Sequence, residues 1–326
     1  MSKYPKFSLI LPVYNVQDYL SKCLDSIMEQ TLLDFEVICV DDGSKDSSVE
    51  VLEEYAKMDS RIKILQKSNG GPSSARNIGM QNAVGEYLCF LDSDDYIQPN
   101  FCERLYKEIL EWNPDIVVFG GNIFPLTKDT DSWTYNNLTV RTQLFEKFAP
   151  TLLLGDNRGY PFAWRNCFKR SYLEKIQLKF DENVSMGEDT IFQVCALPES
   201  KNIVFIADKL YNYRYDRKNS LMFESRRDDS HRLYQHLEVI KSIAAFWDAR
   251  GYFPRFHYML FLFGLDFMGW DLMKYKGENK GNIVKDFFSV FEQYGIRIQT
   301  AKIPQKYLRT YVKLKGSLKM KEFLEH

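Results

Sequence analysis

The chain has 326 residues, 45% of them apolar, 27% charged and 15% aromatic, with a net charge of −1 at neutral pH. That length fits one large domain or two modest ones and buries enough surface for a core without disulfide or metal staples. The composition excludes a disordered, collagen-like or low-complexity chain, and the near-zero charge excludes a nucleic-acid binder of the basic type.

The first 120 residues alternate between two periods. The apolar run 7–13 (FSLILPV) reads as a buried strand, and Val16, Leu20, Cys23, Leu24, Ile27 and Met28 recur at helical spacing, predicting a helix over 16–30 with Asn15 as its cap. Strands follow at 35–40 (FEVICV), 62–65, 87–91 (YLCFL) and 115–120 (DIVVFG). Helices are expected from Ser44 or Asp46 to about Ala56, over 73–83 with Gly85 as terminator, and over 100–112. Strand–helix alternation with continuously apolar strands implies a mostly parallel sheet covered on both faces. Beyond 120 the pattern loosens, with a helix expected near 144–154, another at 191–197 opened by Gly187-Glu188-Asp189-Thr190, and two strand-like runs at 203–206 and 210–215. From about 228 long helices are expected at 229–249, 254–275 and 282–294, so a boundary is placed near 225. Residues 297–321 hold eight Lys/Arg and no acid, which leaves the rest of the chain at about −9.

Six cysteines (23, 39, 89, 102, 167 and 195) form no CxxC pair and sit mostly in apolar stretches, as small buried hydrophobes do in a reducing compartment. No secretory leader is expected, and the uncharged run 256–265 is far short of the ~18 residues of a spanning helix. The expected location is therefore the cytoplasm, free or peripheral on the inner membrane face. The apolar stretch 256–275 reads as core, a subunit interface or a membrane-contacting face, and the basic stretch 297–321 as a packed helix with a solvated face, a surface for anionic lipid, or a contact for an acidic protein partner. Leu324-Glu325-His326 resembles the start of a purification tag.

In a parallel sheet, ligands bind outside the carboxyl ends of the strands. The residues there are Pro12-Val13-Tyr14-Asn15, Asp41-Asp42-Gly43-Ser44, the Gly-rich turn 70–77 (GGPSSARN) with Arg76, and Asp92-Ser93-Asp94-Asp95. Tyr14 offers an aromatic face to a planar base. The Gly-rich turn opens a helix, where anions are favoured. Carboxylates two apart on a loop suit a hard divalent cation, Mg²⁺ or Mn²⁺, with phosphate oxygens completing its shell. Taken singly, each of these stretches also reads as an ordinary Asx turn, loop or helix cap.

In this order and spacing, PVYN, VDDGS, NGGPSSARN and FLDSDD resemble the family 2 glycosyltransferases of bacterial polysaccharide and glycoconjugate assembly. The resemblance is close over about 5–120 and continues through Asp189 to about Met222; the last ~100 residues carry none of it. It implies a GT-A type α/β fold over 1–225. Residues 1–120 would be the nucleotide-sugar half and 121–225 the acceptor half, followed by a helical extension with the basic tail over 226–323. Pro12, Tyr14, Asn15 and Asp42 would surround the base, most often uracil, with Asp41 beside them. Arg76 would approach the diphosphate or ribose, Asp92 would meet the ribose, and Ser93 would lie among the donor-binding residues. Asp94 would bind the metal, and Asp95 would shape the donor-sugar pocket. Glu188-Asp189 matches the family's general base, and the anion of Asp189 would be stabilised at a helix N-terminus. The run Tyr211-Asn212-Tyr213-Arg214-Tyr215-Asp216-Arg217 resembles a segment near the diphosphate, with Arg214 and Arg217 as candidates for phosphate contacts. A Gln-x-x-Arg-Trp run is lacking after Asp189, so single addition is expected rather than polymerisation. The implied activity is inverting, metal-dependent transfer of a hexose or N-acetylhexosamine from a nucleotide sugar to a hydroxyl of a lipid-linked oligosaccharide or protein-bound glycan. The rivals are a nucleotidyltransferase, disfavoured because 11–16 (LPVYNV) lacks a basic Gly-rich loop, and a non-catalytic nucleotide-sugar-binding subunit.

Overall fold

The computed structural model describes residues 4–125, 132–156, 158–215, 228–296 and 298–324. Its strands are β1 (Phe7–Val13), β2 (Phe35–Asp41), β3 (Ile62–Gln66), β4 (Tyr87–Phe90), β5 (Tyr96–Ile97), β6 (Ile116–Phe124), β7 (Gln143–Lys147), β8 (Asn166–Lys169) and β9 (Lys201–Arg214). Among the described residues they form one nine-stranded sheet in the order β3-β2-β1-β4-β8-β6-β9-β5, with β7 paired to β9. The nucleotide-half strands β3, β2, β1 and β4 run parallel, β8 enters antiparallel between β4 and β6, and β6 and β9 are again parallel. This is the expected GT-A type α/β architecture.

Helices cover both faces. In the first half they are α1 (Gln17–Met28), α2 (Ser48–Met58), α3 (Gly71–Asn82) and α4 (Phe101–Trp112). Next come α5 (Ser132–Asn137), α6 (Thr151–Leu154), α7 (Arg170–Lys175) and α8 (Glu188–Ala196). The last five are α9 (Asp229–Ala249), α10 (Phe253–Gly264), α11 (Trp270–Lys274), α12 (Lys280–Gln293) and α13 (Gln305–Leu324). Side chains alternate between the two faces of a strand, and β1 shows why its run is apolar except for Ser8, which is buried and donates to Glu36 at 2.7 Å. Phe7, Leu9, Leu11 and Val13 join one buried cluster with Leu20 and Leu24 of α1 and Leu105 of α4. Ile10 points to the other cluster, with Ala75 of α3 and Phe192 of α8. That second cluster extends without a break into Leu237, Trp247, Phe261, Phe287 and Tyr311 of the last helices.

Three expectations change. The helix expected near 144–154 is β7 followed by short α6. Pro150 stands just before α6, and 143–147 pair antiparallel with the start of β9 instead. The two runs at 203–206 and 210–215 are one strand; the Ala207-Asp208 step falls where its pairing with β6 slips between Phe119 and Gly121. The helix at 254–275 is interrupted by a π turn, Leu265–Gly269. That turn carries Asp266 to Arg158 at 2.8 Å and to the Tyr307 hydroxyl at 3.0 Å, tying α13 to the acceptor half. All six cysteines are free and buried.

Candidate active site

The register Phe7↔Phe35 and Phe7↔Tyr87 brings the carboxyl ends of β1, β2 and β4 to one edge. The PVYN, VDDGS and DSDD segments therefore share a rim. Tyr14 presents an exposed ring there, beside half-buried Pro12. Asn15 does not cap α1, contrary to expectation. It sits in the left-handed region with φ +49°, donates its N–H to Ser44 Oγ at 3.1 Å and accepts from Lys45 N–H at 2.8 Å. The first N–H groups of α1 are met from the neighbouring loop instead: Val16 donates to Ser48 Oγ at 2.9 Å and Gln17 to Asp46 at 3.1 Å.

Asp41 and Asp42 divide their tasks. Asp41 accepts from Ser44 N–H at 3.1 Å, closing the turn at the end of β2. Asp42 is buried and accepts from Lys67 Nζ at 2.5 Å, Gly70 N–H at 2.9 Å and Gly71 N–H at 2.7 Å. Its carboxylate thus anchors the Gly-rich turn. Gly71 holds φ +86° there, a conformation L side chains rarely adopt. Lys67 was not singled out from the sequence, because a lone lysine after a strand carries no local signal.

The acids of two distant segments meet on Arg76. Its Nη2 lies 2.9 Å from Asp92, and its Nη1 lies 3.0 Å from Glu188 and 3.2 Å from Asp189. Burial opposes the guanidinium charge, but Asp189, Asp92 and Glu188 overcome that and keep it firmly protonated. Asp189 Oδ2 also accepts from Ala163 N–H at 3.2 Å. That donor sits in a 3-10 turn, Ala163–Arg165. A stack of flat rings holds the turn against β9, with Trp164 on Tyr211 at 4.1 Å and on Phe162 at 5.2 Å.

Burial pushes the Asp189 carboxyl up to about 7; Arg76 and Ala163 N–H pull it down, while Glu188 and Asp92 push it up. Helix-terminus stabilisation of the anion is thus opposed by desolvation and two like charges, and the Asp189 carboxyl lies above the usual carboxylate range. With 19% of its side chain exposed, Asp189 remains reachable from outside.

Asp94 is half-buried at the rim, and Ser93 is buried beneath it. Asp95 is buried, with Oδ1 accepting from Arg214 N–H at 2.6 Å and Oδ2 lacking a hydrogen-bond partner among the described residues. Burial, reinforced by Asp94 and Asp92, holds its carboxyl well above the usual range. Arg214 donates through Nε to the Asp94 carbonyl at 3.1 Å, and its guanidinium lies over the rings of Tyr19 and Phe124, each at 4.6 Å. The end of β9 is thereby fastened to the DSDD loop. Asp92 N–H donates to the Tyr211 hydroxyl at 2.9 Å. Tyr211 lies in a segment the sequence did single out, although only its arginines were picked as ligands. Arg217 lies outside the described residues.

No three His, Cys, Asp or Glu side chains among the described residues form a self-sufficient metal cage. Mg²⁺-type cations characteristically take one or two carboxylates and complete their shell with substrate phosphates. Asp94, half-buried at the rim, fits that mode as the carboxylate ligand.

The model of glycosyl transferase family 2 matches residues 8–177, just over half of the chain. The uncharacterized glycosyltransferase EpsJ of Bacillus subtilis is 35% identical over 224 residues, 67% of this chain and 63% of that protein. TarS of Staphylococcus aureus, a poly(ribitol-phosphate) β-N-acetylglucosaminyltransferase, is 28% identical over 67% of this chain and 37% of its own length. The chain spans less than two thirds of the length of EpsJ and of two further curated relatives, GlyA of Streptococcus pneumoniae and EpsH of Bacillus subtilis. The solved structure of TarS residues 1–349 with UDP-GlcNAc has the same fold, with a TM-score of 0.71 at 23% identity over 96% of this chain and 89% of that one. The mannosyltransferase PcManGT of Pyrobaculum calidifontis, solved with GDP-Man and Mn²⁺, aligns at a TM-score of 0.55 and 15% identity over 97% of this chain and 86% of that one. The motifs, the rim they share and the family match converge: the chain belongs to glycosyl transferase family 2.

Proposed function

We propose that the chain is an inverting, non-processive glycosyltransferase that moves a hexose or N-acetylhexosamine from a UDP-sugar to a hydroxyl of a glycan acceptor. The observation that carries this reading is the Asp189 carboxyl, near 7, facing the carboxylate loop after β4 across one guanidinium. A base is most effective when its pKa lies near working pH. Asp189 takes the proton of the acceptor hydroxyl. The oxygen bonds to the anomeric carbon as the bond from that carbon to the phosphate oxygen breaks, and the nucleoside diphosphate leaves with the electron pair. Attack opposite the leaving group inverts the centre.

Pro12, Tyr14, Asn15, Asp41 and Asp42 would frame the base, Asp92 the ribose and Asp95 the sugar, with Ser93 among the donor-binding residues. Arg214 and Arg217 would approach the phosphates. Mn²⁺ or Mg²⁺ held at Asp94 would supply positive charge to the departing diphosphate. The UDP-GlcNAc bound by TarS supports a UDP-sugar donor. The name of TarS adds polyol-phosphate hydroxyls to lipid-linked and protein-bound glycans as acceptors to test.

The test is a donor screen. The protein is incubated with Mn²⁺ or Mg²⁺ and each common UDP-, GDP- and dTDP-sugar, and nucleoside diphosphate release is measured with an EDTA control. Release from a UDP-sugar, lost in EDTA, is expected. Absence of both turnover and binding with every donor would replace this reading with a non-catalytic subunit.

A further inference from the structure

Arg76 is buried with both terminal nitrogens turned toward carboxylates, and its Nε, also buried, has no hydrogen-bond partner among the described residues. Its Nη1 serves Glu188 and Asp189 at 3.0 and 3.2 Å, its Nη2 serves Asp92 at 2.9 Å, and its plane lies over the Phe180 ring at 5.2 Å. Only 6% of the side chain is exposed. The groups it joins come from three elements: α3 supplies Arg76, the loop after β4 supplies Asp92, and the first turn of α8 supplies Glu188 and Asp189. From a fourth side, the 3-10 turn adds only the Ala163 N–H.

We infer that Arg76 is a positioning residue that straps the general base to the donor loop, and that it is not a ligand of the diphosphate. This rests on Asp189 being the base. The strap does two things. A planar guanidinium bonded to carboxylates on both sides fixes their spacing, as a flexible ammonium does not. Its single positive charge also faces three carboxylates, so the Asp189 proton is set by the balance of Arg76 against Glu188 and Asp92, as the causes of its shift indicate. Charge changes on opposite sides of that balance must therefore move the base in opposite directions.

The experiment measures kcat, donor KM and donor dissociation constant against pH for the wild type, Arg76→Gln, Arg76→Lys and Glu188→Gln. Removing the positive charge in Arg76→Gln is expected to move the acid limb of kcat up by about one pH unit or more and to lower kcat at pH 7 by about 10²-fold, with donor affinity within about threefold. Arg76→Lys returns the limb toward the wild-type position. Glu188→Gln moves it down. A donor affinity weakened about tenfold or more in both Arg76 variants, with the limb unmoved, would make Arg76 a phosphate ligand and overturn the inference. Because a buried arginine cannot always be removed without unfolding, Glu188→Gln stands as the second arm, and an unmoved limb there overturns the inference by itself. Wild-type protein inert toward every donor would sink the activity reading instead. The strap would then be read from the ¹³C titration of the Asp189 carboxyl, identified by its loss in Asp189→Asn, which Glu188→Gln should shift to lower pH.

Discussion

At the residue scale, Asp189 is set by opposing forces of similar size. Burial and two neighbouring acids keep its proton, while one guanidinium and one N–H release it, and the result lies near 7. Two measurable consequences follow from the role of base proposed for it. Turnover should rise with pH through about 7 and then level off. Asp189→Asn should lower kcat by about 10²-fold or more while leaving donor affinity within about threefold; turnover surviving within a few-fold would remove Asp189 as the base. Stability carries a second, independent sign. A carboxyl raised in the folded state binds more protons there than in the unfolded chain, between its ordinary value of 3.8 and about 7. Its contribution is therefore present at low pH and is lost as pH rises through about 7. Asp189→Asn lacks this loss, so its melting temperature relative to wild type should climb from pH 5 to pH 8.

At the scale of elements, the first turn of α8 is a joint between the last helices and the base. Gly187 precedes α8 with φ +89°, and a Cβ there would stand 2.6 Å from Val239 Cγ2 on α9. Gly187→Ala therefore combines a left-handed strain with a clash against a buried side chain. It should destabilise the fold by about 1–3 kcal/mol, read by thermal or urea unfolding. Loss under about 0.5 kcal/mol would mean that α9 yields freely. The amino ends of helices elsewhere depend on neighbours too: α1 takes its N–H partners from Ser48 and Asp46, about thirty residues away. This is why Asn15, adjacent in sequence and a good capping type, proved to be a turn residue.

At the scale of the molecule, the C-terminal helices share one apolar cluster with the sheet. Removing residues from 228 onward would strip cover from Phe148, which meets Trp247 and Phe256, and from Tyr160, which meets Phe263, and the remaining piece should be insoluble or lack a cooperative thermal transition. A soluble, cooperatively melting 1–227 fragment would show that the sheet half holds its own core. On the outside, α13 buries Tyr307, Tyr311 and Leu314. Lys302, Lys306, Arg309, Lys313 and Lys315 make no ion pair with a carboxylate among the described residues. Among the described residues, no helix is long and apolar enough to cross a membrane. An uncompensated basic face beside exposed Val312 should bind vesicles rich in anionic lipid, and binding should weaken with salt and in Lys306→Glu/Lys313→Glu. Binding insensitive to both would assign that face to an acidic partner or a second copy.

Within the first 120 residues the sequence was enough to place β1 to β4, the start of β6, α1 to α4 and the rim they build, but not the two-residue β5 at Tyr96–Ile97. Short continuous apolar runs and period-3.6 apolar patterns, punctuated by glycine and aspartate, are local signals, and parallel topology then sends PVYN, VDDGS and DSDD to one edge. It also pointed to Glu188-Asp189 through a family pattern. What it left to the tertiary structure depends on non-local surroundings. Residues 143–147 became a strand because β9 was there to pair with them, overriding helical spacing. Arg76 met Glu188 across 112 positions of chain, a separation over which no pattern reaches. The ionisation of Asp189 depends on how much water is excluded and which charges remain nearby, and only packing decides that.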